Sequence, residues 1–160
     1  MTRLTRRGAV ALSATACALM SASSAQAVIQ VQRGISGIAL GMSPAQVRAG
    51  LGNPSKVTRA SNEFGPLTQY LYAGGITVAF QGNANVTAVV LTGHTDQTAS
   101  GVGVRSTARA VKKGVPGVKC QTTSGVQSCT VGTLLPGRRV TDFLLAHGRV
   151  NRVTVGFVID

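Results

Sequence analysis

The sequence has no tryptophan, two tyrosines and four phenylalanines, and only four acidic residues against sixteen lysines and arginines. Each shortage excludes something. The four scattered carboxylates (Glu63, Asp96, Asp142 and Asp160) offer no pair placed to flank a scissile bond as acid and base. Two histidines, His94 and His147, and three cysteines do not supply a zinc ligand set at the usual spacing. Scarce Trp and Tyr work against a protein-binding hot spot, which draws on Trp, Tyr and Arg. Gly101-Val102-Gly103 begins like a dinucleotide fingerprint, but no third glycine and no βαβ unit follow, so no nucleotide cofactor is expected. His94 and Asp96, with Ser100 nearby, form the densest polar constellation, in a Gly/Thr/Ser-rich linker that reads as a solvated loop. The chain therefore reads as non-enzymatic, with no cofactor and no metal.

What is present starts with an export signal. Arg3, Arg6 and Arg7 precede a nearly uncharged stretch of small and apolar residues at 8–22, and Ala25-Gln26-Ala27 supplies an A-x-A cleavage site. Residues 1–27 thus read as a signal peptide cleaved after Ala27. The apolar run is shorter than the ~20 residues of a spanning helix, so no transmembrane segment is expected in the mature chain. Thr5-Arg6-Arg7-Gly8 loosely resembles a twin-arginine signal, so either export route fits. Cys17 follows Ala14-Thr15-Ala16 without the leading leucine of a lipobox, which makes a lipoprotein the weaker alternative. Cys120 and Cys129 are then the only cysteines left. An even pair in an exported chain reads as a disulfide closing a short loop.

The best-specified local structure lies in residues 37–54, GIALGMSPAQVRAGLGNP. Ser43 is a natural N-cap, Pro44 suits the first helical position, and Gln46 completes a capping box. Met42 and Val47 fit a hydrophobic staple, Val47 and Leu51 share a face, and Gly52 and Pro54 stop the helix. Two turns of helix cannot stand alone in water, so this one must pack on something.

The same pattern returns 64 residues later: Gly37 on Gly101, Ile38 on Val102, Ser43 on Thr107, Val47 on Val111 and Leu51 on Val115. A second block follows the same offset, with Ile76-Thr77 on Val140-Thr141, Phe80 on Leu144, Val89 on Val153 and Leu91 on Val155. One offset across two blocks points to a tandem duplication. The expected plan is a lead-in arm at 28–36, repeat unit 1 at 37–92, a joint at 93–100 and repeat unit 2 at 101–160. Strands are predicted at 68–73, 75–81 and 86–92, and at 128–134, 140–146 and 150–159, with Gly82-Asn83 and His147-Gly148 as turns. The fold class is α+β: each unit a short helix on a three-stranded antiparallel sheet, the two forming one continuous curved sheet. Residues 140–146 carry apolar residues on both faces, so either the face opposite the helices binds something or the arm at 28–36 covers it.

Gly41-Met42-Ser43-x-x-Gln46-Val47 followed by Leu51-Gly52-x-Pro54 resembles the signature of the BamE/SmpA-type small envelope lipoproteins. The motif covers about 14 residues. The resemblance implies a helix layer on a three-stranded antiparallel sheet in each unit. Two such units are similar in plan to the secreted β-lactamase-inhibitor proteins, whose tandem repeats form one curved sheet. The second copy departs from the motif, with Arg105-Ser106-Thr107 in place of Gly-Met-Ser and an early Pro116.

Charge carries the functional expectation. The mature chain keeps thirteen basic residues against four acidic ones, which draws it to anionic material. Arg105, Arg109, Lys112 and Lys113 fall at helical spacing and form a candidate anion-binding stripe; Lys119, Arg138 and Arg139 are further candidates for the same surface. Export favours an anionic envelope component, polymer or lipid, or an extracellular protein as partner, and disfavours nucleic acid. The function expected is an exported binding or structural module; the alternative is a secreted inhibitor of an extracellular enzyme.

Overall fold

The computed structural model describes residues 28–159. The expected signal peptide and Cys17 lie outside the described residues.

Three short strands, β1 (Ile29–Gln30), β2 (Gly34–Ile35) and β3 (Ile38–Ala39), form a small antiparallel sheet. Helix α1 (Pro44–Leu51) follows, then β4 (Lys56–Asn62), β5 (Gly65–Tyr72), β6 (Ile76–Gln81) and β7 (Ala88–Leu91). The second half repeats the order: α2 (Ala108–Gly114), β8 (Lys119–Thr123), β9 (Val126–Val131), β10 (Arg139–Ala146) and β11 (Arg149–Phe157). The eight long strands make one antiparallel sheet in the order β4-β5-β6-β7-β11-β10-β9-β8. The last strands of the two halves therefore pair at the centre, and the first lie at the edges, each with a lysine, Lys56 or Lys119, that discourages further strand addition.

Four strands per half replace the expected three. Residues 56–62 alternate Lys, Thr, Ala and Asn with Val, Arg and Ser, almost all exposed, so this edge strand lacks the apolar pattern that marks a buried one. The edge strand β8 is equally polar and is closed onto β9 by a two-residue turn, Ser124-Gly125, with both residues at positive φ. That is the primed turn whose twist matches a hairpin.

The register sorts the side chains into two faces. Val57, Tyr70, Val78, Val89, Val155, Thr141 and Val131 form one row of cross-strand neighbours; Tyr72, Ile76, Leu91, Val153, Phe143, Cys129 and Cys120 form the next. Most of these are buried, and Phe80, on the same face, and Phe143 are the largest fully buried side chains described. Helix α1 lies on this face, because Arg48 donates to the Tyr70 hydroxyl and the Tyr72 hydroxyl donates to the Gly52 carbonyl. The arm lies on it too: the Gln32 amide donates to Thr141 Oγ1 at 2.6 Å. Val111 and Val115 at α2 join the same core. This corrects the reading in which the arm covers the opposite face. It sits beside the helices, where Ile29, Ile35 and Ile38 are buried. The opposite face carries the row Lys56, Leu71, Thr77, Val90, Thr154, Asp142, Thr130 and Lys119. No aromatic residue stands in that row.

His94, Thr95, Gln97, Ala99 and Ser100 of the joint are exposed, as expected of a solvated loop, but Asp96 is not. Asp96 is 1% exposed and accepts from the Ser36 hydroxyl of the arm and from Thr95 Oγ1. Gln97 bridges Val28 and Gly103. Burying a carboxylate is costly unless it is hydrogen-bonded, so this pair ties the arm to the joint. The close packing extends to Gly93, where a Cβ would stand 1.7 Å from the Gly74 carbonyl oxygen.

Candidate functional site

The helix starts explain where the basic residues stand. In the first half Ser43 caps α1 through its hydroxyl on the Gln46 amide, and Gln46 returns a bond to the Ser43 amide. Thr107 caps α2 in the same way at Ala110, whose side chain cannot reciprocate. Before each cap the chain is pinned to the centre of the sheet by a matching pair of main-chain bonds. The Gly41 amide donates to Val86 and the Val86 amide to Met42; the Arg105 amide donates to Val150 and the Val150 amide to Ser106. Gly41 makes this turn at φ +89. Arg105 makes it at φ +76, a region in which arginine is disfavoured and glycine is not.

The motif residues have structural positions. Gly52 ends α1 at φ +78, Val47 is fully buried, and Met42 and Leu51 pack against the core. Arg48, the first-half counterpart of Lys112, is held by the Tyr70 hydroxyl and over its ring, 5.5 Å from the centroid. In the second half Arg105, Arg109, Lys112 and Lys113 are all exposed. Arg109, Lys112 and Lys113 fall within one side of α2, opposite buried Val111. The fold adds Arg149, whose Nη1 donates to the Arg105 carbonyl at 3.0 Å. Sequence reasoning missed Arg149 because 44 residues separate the two. Asp96 and Asp142 are engaged by hydroxyls, Ser36 and Thr95 for one and Thr130 for the other, rather than by these cations.

Lys119, Arg138 and Arg139 form a second basic group. Arg138 and Arg139 line a cavity of about 630 Å³ with Gln32 and Leu135, and Lys119 lines a neighbouring one of about 240 Å³ with Leu134. Both cavities share Gly132 and Thr133, so the 132–138 loop separates them. Leu134, expected in a strand, stands in this loop.

Cys120 and Cys129 are cross-strand partners joined as a disulfide. They occupy the row positions held in the first half by Val57 and Tyr70 or Tyr72, so a covalent link stands where the first half packs aromatic rings. His94 is exposed while Asp96 is buried, so the two form no common site. Among the described residues no helix is long and apolar enough to cross a membrane.

No protein-family model matches the chain, and no curated protein does. Solved structures are similar to it, and the first of the following, with a TM-score of 0.52, shares its fold. An extracellular protein containing an SCP domain from Bacillus anthracis matches with a TM-score of 0.52 at 10% identity, over 74% of this chain and 44% of that one. This chain thus spans less than half of that protein. A DUF4309-family protein from Bacillus subtilis matches with a TM-score of 0.44 at 16% identity, covering 72% and 78% of the two chains. A candidate β-lactamase inhibitor protein from Streptococcus mutans matches with a TM-score of 0.35 at 13% identity, covering 81% and 89%. The likeness is one of fold. The BamE/SmpA resemblance stays with the α1 motif.

Proposed function

We infer that the protein is an exported, non-enzymatic binding module that holds an anionic envelope component on the basic side of α2. Arg105, Arg109, Lys112 and Lys113 supply the charge, with Arg149 beside them. The observation that carries this reading is Arg105. At the same turn the first half places a glycine, and the second keeps an arginine in the left-handed region at φ +76. Strain retained against an available glycine favours a use for the side chain. Export is supported by the leader's composition and by the disulfide, a bond that persists outside the reducing cytoplasm.

The test is binding of the exported protein to a soluble polyanion, such as purified anionic wall polymer or polyphosphate. Affinity should fall steeply as salt rises, since exposed charges are screened. Combined substitution Arg109→Ala, Lys112→Ala and Lys113→Ala should weaken it at least about tenfold. Affinity indifferent to salt, or to the triple substitution in a folded protein, would sink the reading.

The inhibitor reading has one observation in its favour, the long face opposite the helices. Its central row is Thr, Val, Leu, Asp and Lys without an aromatic anchor, which is poor material for a hot spot. It predicts saturable one-to-one binding to a secreted enzyme that survives high salt.

A further inference from the structure

The β5–β6 and β9–β10 connections of the two halves differ in length and character. Between β5 and β6 the connection is Ala73–Gly75, three residues. Between β9 and β10 it is residues 132–138, seven residues, reading GTLLPGR. The second half is also shorter in its first two strands, with five and six residues against seven and eight. The additional loop length is spent on an apolar tip. Leu134 is 62% and Leu135 54% exposed, the two most exposed large hydrophobic residues described.

That exposure belongs to an ordered turn. Pro136 and Gly137 (φ +69) occupy the middle of a turn closed by the Arg138 amide on the Leu135 carbonyl at 3.0 Å. Proline followed by a positive-φ glycine is the type II pattern. The turn is fastened to the C-terminal segment by two bonds, Gly137 amide to Val158 carbonyl and Val158 amide to Arg138 carbonyl, each 2.9 Å. The leucines therefore cannot fold back without breaking main-chain hydrogen bonds. Cations flank them: Arg138 follows the turn, Lys119 lines a groove with Leu134, and the Arg139 guanidinium stands 5.6 Å from the Phe157 ring centroid. Asp142, three residues after Arg139, accepts from Thr130 Oγ1 in the row that also holds Lys119, and Asp160 lies outside the described residues.

We propose that the Leu134–Leu135 turn is a membrane-contact tip that enters the interface of an anionic phospholipid bilayer, with Lys119, Arg138 and Arg139 on the head groups. A bilayer is the occupant because it alone among anionic envelope materials offers an apolar layer beneath its charge. Two leucines on a fixed turn within a basic rim match that order. A hydrated wall polymer would meet the cations and leave the leucines unused. The proposal names one source of the anion-binding expected of this protein, at a site separate from α2, and it stands or falls independently of the α2 stripe.

The exported protein is mixed with vesicles of phosphatidylcholine alone and with added phosphatidylglycerol, and bound fractions are read by sedimentation. Binding to the anionic vesicles should keep a salt-resistant part. Leu134→Ser with Leu135→Ser should weaken it at least about tenfold while leaving polyphosphate binding unchanged, which also shows the variant is folded. Because the chain has no tryptophan, Leu135→Trp gives a single emitter, and its emission should shift to the blue on anionic vesicles only. Full vesicle binding by the serine variant, or no spectral shift while the tryptophan variant is bound, overturns the proposal. Loss of vesicle binding confined to substitutions on α2 also overturns it, and leaves the α2 reading intact.

Discussion

Arg149 Nη1 donates to the main-chain oxygen of Arg105 across 3.0 Å, clamping the left-handed turn that leads into α2. The bond uses the carbonyl of Arg105 and leaves its side chain out of the contact. The backbone conformation and the side-chain charge at position 105 can therefore be changed separately.

Arg105→Gly should stabilise the fold by about 0.5–1 kcal/mol, the relief of left-handed strain less the entropy glycine loses on folding. Arg105→Ala removes the same charge and keeps the strain, so its stability should stay near wild type. Denaturant titration of the two variants reads the difference. Equal stabilities would show that the turn is not strained.

The two caps should respond unequally. Ser43→Ala with Gln46→Ala removes both halves of a reciprocal box, the hydroxyl on the Gln46 amide and the Gln46 oxygen on the residue-43 amide, and should cost about 1–2 kcal/mol. Thr107→Ala removes a single bond, since residue 110 is alanine, and should cost about 0.5–1 kcal/mol. Urea unfolding midpoints at constant slope check the order.

Reducing the Cys120–Cys129 bridge removes a constraint on the unfolded chain and should cost about 2–3 kcal/mol, given its sequence separation of nine. Buried Cys129 keeps its packing after reduction, so the sheet should persist by circular dichroism while the melting temperature falls.

Tyr72 titrates above the ordinary tyrosine value of about 10, because burial disfavours the phenolate and Tyr70 adds to this, against the opposing pull of Arg48. A group with a raised folded pKa contributes stability that is present below its unfolded pKa and lost as pH rises through the folded one. Stability should therefore fall above about pH 10, and less in Tyr72→Phe. In Tyr70→Phe the remaining phenol, followed by ultraviolet absorbance, should still titrate late, since burial is the larger cause.

Local rules made some of this molecule legible in sequence. Ser43, Pro44, Gln46 and Gly52 specify α1 within ten residues of chain, and the structure has that helix with both bonds of its capping box. The His147-Gly148 turn follows from glycine, and the core face of β11 from the alternation of Val153, Val155 and Phe157. The helical spacing of Arg109, Lys112 and Lys113 was readable, but Arg105, expected on the same helix, stands in the left-handed turn before the Thr107 cap, and Arg149 was not readable because its contact depends on a strand pairing with the approach to α2.

The second block shows what an offset cannot see. Aligning Ile76 with Val140 and Phe80 with Leu144 places β10 with its core face reversed. In the sheet Ile76 and Val78 pair with Leu91 and Val89, while Val155 and Val153 pair with Thr141 and Phe143. Strand β10 has thus slipped by one residue relative to the 64-residue offset that β11 and α2 keep, and one residue turns every side chain of a strand over. Val140 and Leu144 consequently stand on the face opposite the helices, and Phe143 is buried beneath the arm and helix layer.

By itself the sequence determined the surplus of positive charge, the two capped helices and the pairing of the last two cysteines. These depend on neighbours in the chain or on bare counts. Only the tertiary structure decided that each half has four strands, that the arm lies beside the helices, that Asp96 is buried and that Leu134 stands exposed. Those outcomes rest on register, edge position and long-range hydrogen bonds, which are competitions among distant segments for one shared sheet.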